Sequence, residues 1–111
     1  MKDETLASLH DARQASQAVK TFVKGRSFAE YASDELLRSA VERKFEIMGE
    51  ALNRVRRSAP PVLEQIRDHR EIISFRNILV HGYDAIDNRI VWGVIAEDLD
   101  GLIEDLDRLL D

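Results

Sequence analysis

A chain of 111 residues has room for one compact domain with a modest core, and not for a catalytic domain beside a separate regulatory one. It contains no cysteine, which excludes disulfides, thiolate metal sites and cysteine nucleophiles and fits a reducing cytoplasm. A formal charge of −5 argues against nucleic-acid binding by bulk electrostatics, yet the charge is uneven, −1 over residues 1–37, +3 over 38–83 and −7 over 84–111, so the middle of the chain can set up a local positive field.

Residues 1–9 carry acids and no long apolar run, so neither a signal peptide nor a membrane span is expected, and the location expected is cytoplasmic. Leu6, Leu9, Ala12, Val19, Phe22 and Val23 then recur at helical spacing up to Gly25, a residue that readily ends a helix in the left-handed conformation. Ser27 and Glu30 form a capping-box pattern for a short turn bearing Phe28 and Tyr31, and Ser33 with Asp34 and Glu35 signals a second, stronger helix start. Leu37, Val41, Met48, Leu52 and Val55 mark the buried stripe of that helix, which Pro60 and Pro61 stop. Pro61 suits the first position of a short helix carrying Val62, Leu63 and Ile66. A third long helix begins near Arg70 and runs to Gly82, with Ile72, Phe75, Ile78 and Leu79 on one face, and residues 83–88 form a connector. Trp92, Ile95, Leu99, Leu102, Leu106 and Leu109 alternate steps of three and four and predict one last helix. The pattern is all-α, a single helical domain over residues 1–111 built as an up-and-down four-helix bundle with a short extra helix between helices two and three. Val91, Val94 and Ile103 widen the apolar surface of helix four beyond its seam, which points to a homodimer.

The chemically informative stretch runs from Arg76 through Asn77 and His81 to Tyr83. At about 100° per residue Arg76 and Tyr83 lie on one row of the helix and Asn77 and His81 on an adjacent one. Singly, each has an ordinary structural use: His81 as a helix cap, Arg76 as an ion-pair partner of Glu46 or Glu50, Tyr83 as an edge aromatic. Together they can serve RNA transesterification, which needs a proton acceptor for the 2′-hydroxyl, a proton donor for the leaving oxygen, and charge stabilisation of the phosphorane. Imidazole titrates near neutral pH, and guanidinium matches phosphate with two parallel donors. One imidazole does not easily do both proton transfers, so a dimer presenting both His81 side chains to one cleft is the expected arrangement. Glu50 is the candidate orienting partner of Arg76, although Glu50 with Arg54 also makes an ordinary helix pair.

No metal or cofactor is expected. Glu42, Glu46 and Glu50 form a carboxylate ladder, but no histidine has a glutamate three residues before it; Ala7, Ile66 and Ile78 hold those positions. His81, Asp84 and Asp87 lie in and beside a short connector whose aspartates read as turn chemistry.

Arg76, His81 and Tyr83 match a signature of arginine, four residues, histidine, one residue and tyrosine, and Asn77 matches the polar residue that often follows the arginine. With Ala40-Val41-Glu42-Arg43, Gly49-Glu50-Ala51 and Ile86-Asp87 leading into Trp92, the sequence resembles the HepT-like toxins of the HEPN superfamily from about Leu6 to Leu110. His69 departs from the tryptophan expected there. The resemblance implies a dimeric, metal-independent endoribonuclease toxin of a toxin-antitoxin system, with His81 as acid/base and Arg76 on the phosphate. Its implied partners are an RNA substrate and an MntA-type minimal nucleotidyltransferase antitoxin that silences it by transferring AMP to Tyr83. Phosphate added beside Arg76 and His81 would occupy the anion site and repel RNA. A non-catalytic HEPN module that binds nucleotide, RNA or a protein partner is the alternative.

Overall fold

The computed structural model describes residues 1–82 and 86–111, which are helical with no strand among them. The elements are α1 (Asp3–Val23), α2 (Phe28–Ser33), α3 (Glu35–Ser58), α4 (Pro60–Leu63), α5 (His69–His81), α6 (Asn88–Glu97) and α7 (Leu99–Leu110). None of these helices is long and apolar enough to cross a membrane.

Local chemistry accounts for the boundaries. Gly25 adopts φ +74° just past α1, and the Arg26 amide closes the turn on the Val23 carbonyl at 2.9 Å. The capping box forms as expected: the Glu30 amide donates to Ser27 Oγ at 3.1 Å and the Ser27 amide to Glu30 Oε1 at 2.9 Å. Asp34 caps α3 by accepting from the Leu37 amide, and Pro60, rather than the expected Pro61, opens α4 where its missing N–H costs no helical bond; α4 ends at Leu63, so Ile66 lies beyond it.

Helix α3 is the central element and packs against α1 on one side and α5 on the other, while α7 packs on α1 and α6 touches α2. Its stripe Leu37, Val41, Phe45, Met48, Leu52 and Val55 is buried with Leu9, Ala12 and Val19 of α1 and Ile72 and Phe75 of α5. Phe45 and Phe75 meet edge to face at 5.2 Å and fix α5 against α3. Trp92 of α6 packs on Tyr31 of α2 with ring centroids 5.3 Å apart.

The single last helix expected from the sequence is two helices. Asp98, at φ −108° and ψ −28°, ends α6 and precedes α7. Aspartate competes for backbone groups inside a helix, and the break lets α6 lean on α2 while α7 follows α1. The apolar steps of three and four continue through the break, so periodicity alone does not reveal it. Val91 is fully buried within the chain, and Val94 and Ile103 are partly buried against the core, so these three do not supply the free surface expected of them.

The corner that launches α5 rests on Asp105 of α7, whose side chain is 2% exposed. Its carboxylate accepts from the Arg67 amide at 2.8 Å, from Arg67 Nε at 3.0 Å and Nη2 at 3.1 Å, and from Arg108 Nη1 at 2.9 Å. These bonds hold the chain where Asp68 takes the left-handed conformation, φ +61°. Burial pushes the Asp105 carboxyl up, but the Arg67 and Arg108 hydrogen bonds outweigh it and hold the group at about 2. A carboxyl depressed in the folded state stabilises above its unfolded value near 4 and loses that contribution as pH falls toward 2. We therefore expect Asp105→Asn to cost about 2 kcal/mol at pH 7, the difference from wild type closing between pH 4 and pH 2 in urea melts. A constant difference across that range would contradict it.

Candidate active site

Arg76 lies on the side of α5 that faces α3. A β-carbon built on Gly49 would stand 2.1 Å from Arg76 Cβ and 2.5 Å from Cγ, so the arginine stem fills space that any other residue at position 49 would claim. Glycine inside an exposed helix costs about 1 kcal/mol against alanine, and a mid-helix glycine is therefore a readable sign of close approach. In the sequence, Gly49 stands only within the Gly49-Glu50-Ala51 match, and its role comes from the approach of Arg76.

From this seat the guanidinium reaches two neighbours. Arg76 Nη2 donates to Glu50 Oε1 at 3.4 Å, and Nη1 donates to Asn77 Oδ1 at 3.1 Å. Glu50 is thus engaged by Arg76, while Arg54, its other expected partner, donates to Ser8 and to Asp11 on α1. A guanidinium can only donate, so the Asn77 amide turns its oxygen inward and its NH2 outward. Arg76 Nε is buried without a partner. Glu50, Asn53, Arg54, Arg57 and Arg76 line a polar groove of about 310 Å³, and among the described residues Arg57 has no carboxylate within ion-pair distance.

His81 ends α5 and is exposed. His81 lies five positions along α5 from Arg76, a turn of about 140°, so the two side chains leave α5 on different sides. Among the described residues no hydrogen bond joins them. Tyr83 lies outside the described residues, as does Asp84. Geometry thus brings Arg76, Asn77 and Glu50 together and leaves His81 apart.

Asn77 lines a second groove, of about 460 Å³, on the other side of the α3–α5 contact, with Arg56, Glu64, His69, Arg70 and Ser74. His69 fills the corner where the family pattern has tryptophan. Its side chain is 13% exposed, with Nε2 3.9 Å from Glu64 Oε1 and Nδ1 buried without a partner. Twelve residues along one helix, about 18 Å, keep it from acting beside His81.

Comparison with known proteins decides the family. Residues 12–109 match the model of the HepT-like family, described as ribonuclease HepT-like. The chain belongs to the HepT-like ribonuclease family. A Methanocaldococcus jannaschii protein named "Putative RNase MJ1380" is 30% identical over 98 residues, covering 88% of this chain and 89% of the relative. A Thermococcus cleftensis protein named "Probable ribonuclease HepT" is 28% identical over 101 residues, 91% of each chain. A third relative, "Putative RNase TTE0752" of Caldanaerobacter subterraneus, is 30% identical over 88 residues, covering 79% of this chain and 78% of its own length. No solved structure matches the chain significantly. Family membership makes this HepT-like chain a ribonuclease. Among the described residues no group of three or more histidine and carboxylate side chains is placed to hold a metal ion.

Proposed function

We propose that this HepT-like ribonuclease is the toxin of a toxin-antitoxin pair, a cytoplasmic, metal-independent endoribonuclease folded as a single up-and-down four-helix bundle in which the two helices α6 and α7 take the place of the fourth. The observation that carries the reading is Arg76, seated over Gly49 and held by Glu50 and Asn77, on the same helix that ends in the exposed His81. Arg76 stabilises the phosphate as charge builds on it, His81 transfers protons, and Glu50 and Asn77 orient the arginine and the substrate.

The division of Arg76 and His81 between two sides of α5 supports assembly of the working site by a homodimer, with both His81 side chains facing one cleft. Ile78, Val80 and Ile90, respectively 56%, 42% and 57% exposed, supply apolar surface around the motif for that contact. An MntA-type nucleotidyltransferase partner then silences the enzyme by adding AMP to Tyr83, placing negative charge where RNA phosphate would bind.

Chain expressed without its partner is expected to cut RNA in excess EDTA, leaving the 2′,3′-cyclic phosphate that 2′-hydroxyl attack produces. Cleavage that stops in EDTA would overturn the metal-independent chemistry, and a folded, unmodified chain that leaves RNA intact would leave the non-catalytic binding module in its place. Co-expression with the neighbouring nucleotidyltransferase is expected to add one AMP, mapped to Tyr83 by intact mass and peptide analysis. An unchanged mass would leave silencing to occlusion.

A further inference from the structure

Helix α5 carries a polar stripe that the motif reading does not use. At 100° per residue Arg70, Ser74, Asn77 and His81 fall within an arc of about 60°. All four are exposed. The stripe runs eleven steps along the helix, about 16 Å, and its first three members line the 460 Å³ groove whose opposite wall carries Arg56 of α3. Among the described residues neither Arg56 nor Arg70 has a carboxylate within ion-pair distance, a state they share with the exposed Arg57 and Arg89, whereas the exposed Arg43 and Arg67 are paired. The buried Leu63 and Ile73 supply the apolar floor of the same groove. The Asn77 amide, whose oxygen accepts from Arg76, has its NH2 left to donate, and Ser74 lines the same groove.

We propose that this groove is the track along which a single-stranded RNA runs to His81, with Arg56 and Arg70 on successive phosphates, Ser74 and Asn77 donating to sugar or phosphate oxygens, and the Leu63–Ile73 floor under a base or ribose. The inference rests on the ribonuclease reading above and extends it by naming where flanking nucleotides bind. Unpaired guanidinia on two facing helices attract a polyanion, and the neutral donors that follow Arg70 along α5 fix its path without reading bases. Glu64 is the one carboxylate in the lining and opposes the phosphate field.

The test is fluorescence anisotropy with a labelled, mixed-sequence 2′-O-methyl oligonucleotide, which cannot be cut because its nucleophile is blocked. Arg56→Gln and Arg70→Gln are each expected to weaken binding several-fold and to flatten the slope of log K against log salt by roughly 0.7, the value per phosphate contact on single strands. Glu64→Gln is expected to tighten binding, and Lys24→Gln, which removes the same charge from another groove, to leave it unchanged. Circular dichroism checks that the surface variants stay folded. Wild-type affinity and slope in both arginine variants, while wild type itself binds, would overturn the track and leave the ribonuclease reading standing. Failure of wild type to bind or to cut any RNA would overturn both.

Discussion

His81→Ala is expected to lower the rate of RNA cleavage by roughly 10²–10⁴-fold, the usual worth of a positioned general acid or base, with little change in melting temperature. The imidazole is exposed and makes no hydrogen bond among the described residues, so its removal takes nothing from the core. His10 and His69 cannot replace it: His10 sits on α1 beside Arg13, and His69 is about 18 Å away at the far end of α5. Alanine at either position is expected to leave cleavage within a few-fold of wild type. If both His81 side chains serve one cleft, excess His81→Ala protein mixed with wild type draws it into mixed dimers holding one imidazole, and activity falls toward that of the variant. Undiminished wild-type activity in that titration would place the proton transfers within one chain. A His81→Ala rate within tenfold of wild type would remove His81 from the chemistry altogether.

What could be read from the sequence follows from what each signal encodes. Helix faces came through because burial imposes a period: the stripe Leu37 to Val55 on α3 and the caps at Ser27 and Asp34 are local patterns with local causes. The break at Asp98 did not, because apolar steps continue through it and the decision depends on α6 and α7 having different neighbours. Asp105 escaped for a related reason. In sequence it is one more acid in an acidic tail, and only its approach to the Arg67 backbone makes it a buried anchor.

The site divides in the same way. The pairing of Glu50 with Arg76 was open to inference as one alternative beside Glu46 for Arg76 and Arg54 for Glu50, yet nothing in the spacing could say that Arg54 would turn to Asp11 instead. The separation of Arg76 from His81 was already contained in the 100° rule, and adjacent rows at a helix end hid it. The Arg70 stripe was legible too, since it requires only counting by fours and threes, but its significance depends on Arg56 arriving from α3 to form the facing wall.

Gly49→Ala is expected to combine a moderate stability loss with a fall of about 10²-fold in cleavage, while Gly93→Ala does neither. Both glycines lie inside helices, and propensity alone predicts that alanine stabilises each by up to about 1 kcal/mol. At Gly93 nothing lies within 4 Å of the added methyl, so that gain should appear in full as a higher melting temperature. At Gly49 the methyl meets Arg76 Cβ at 2.1 Å, and Cβ is tied to the α5 backbone, so rotating the arginine cannot clear it. Helix α5 has to move away from α3, and overpacking of this kind costs roughly 1–3 kcal/mol, more than propensity returns. The same displacement carries the guanidinium away from Glu50, loosens the Asn77 amide, and shifts the donors that the phosphorane requires, where misplacement by about 1 Å costs on the order of 10²-fold. Comparing kcat well below the variant's melting temperature separates this positional loss from unfolding. Gly49→Ala protein that melts higher than wild type and cuts as fast would show that Arg76 does not depend on this seat.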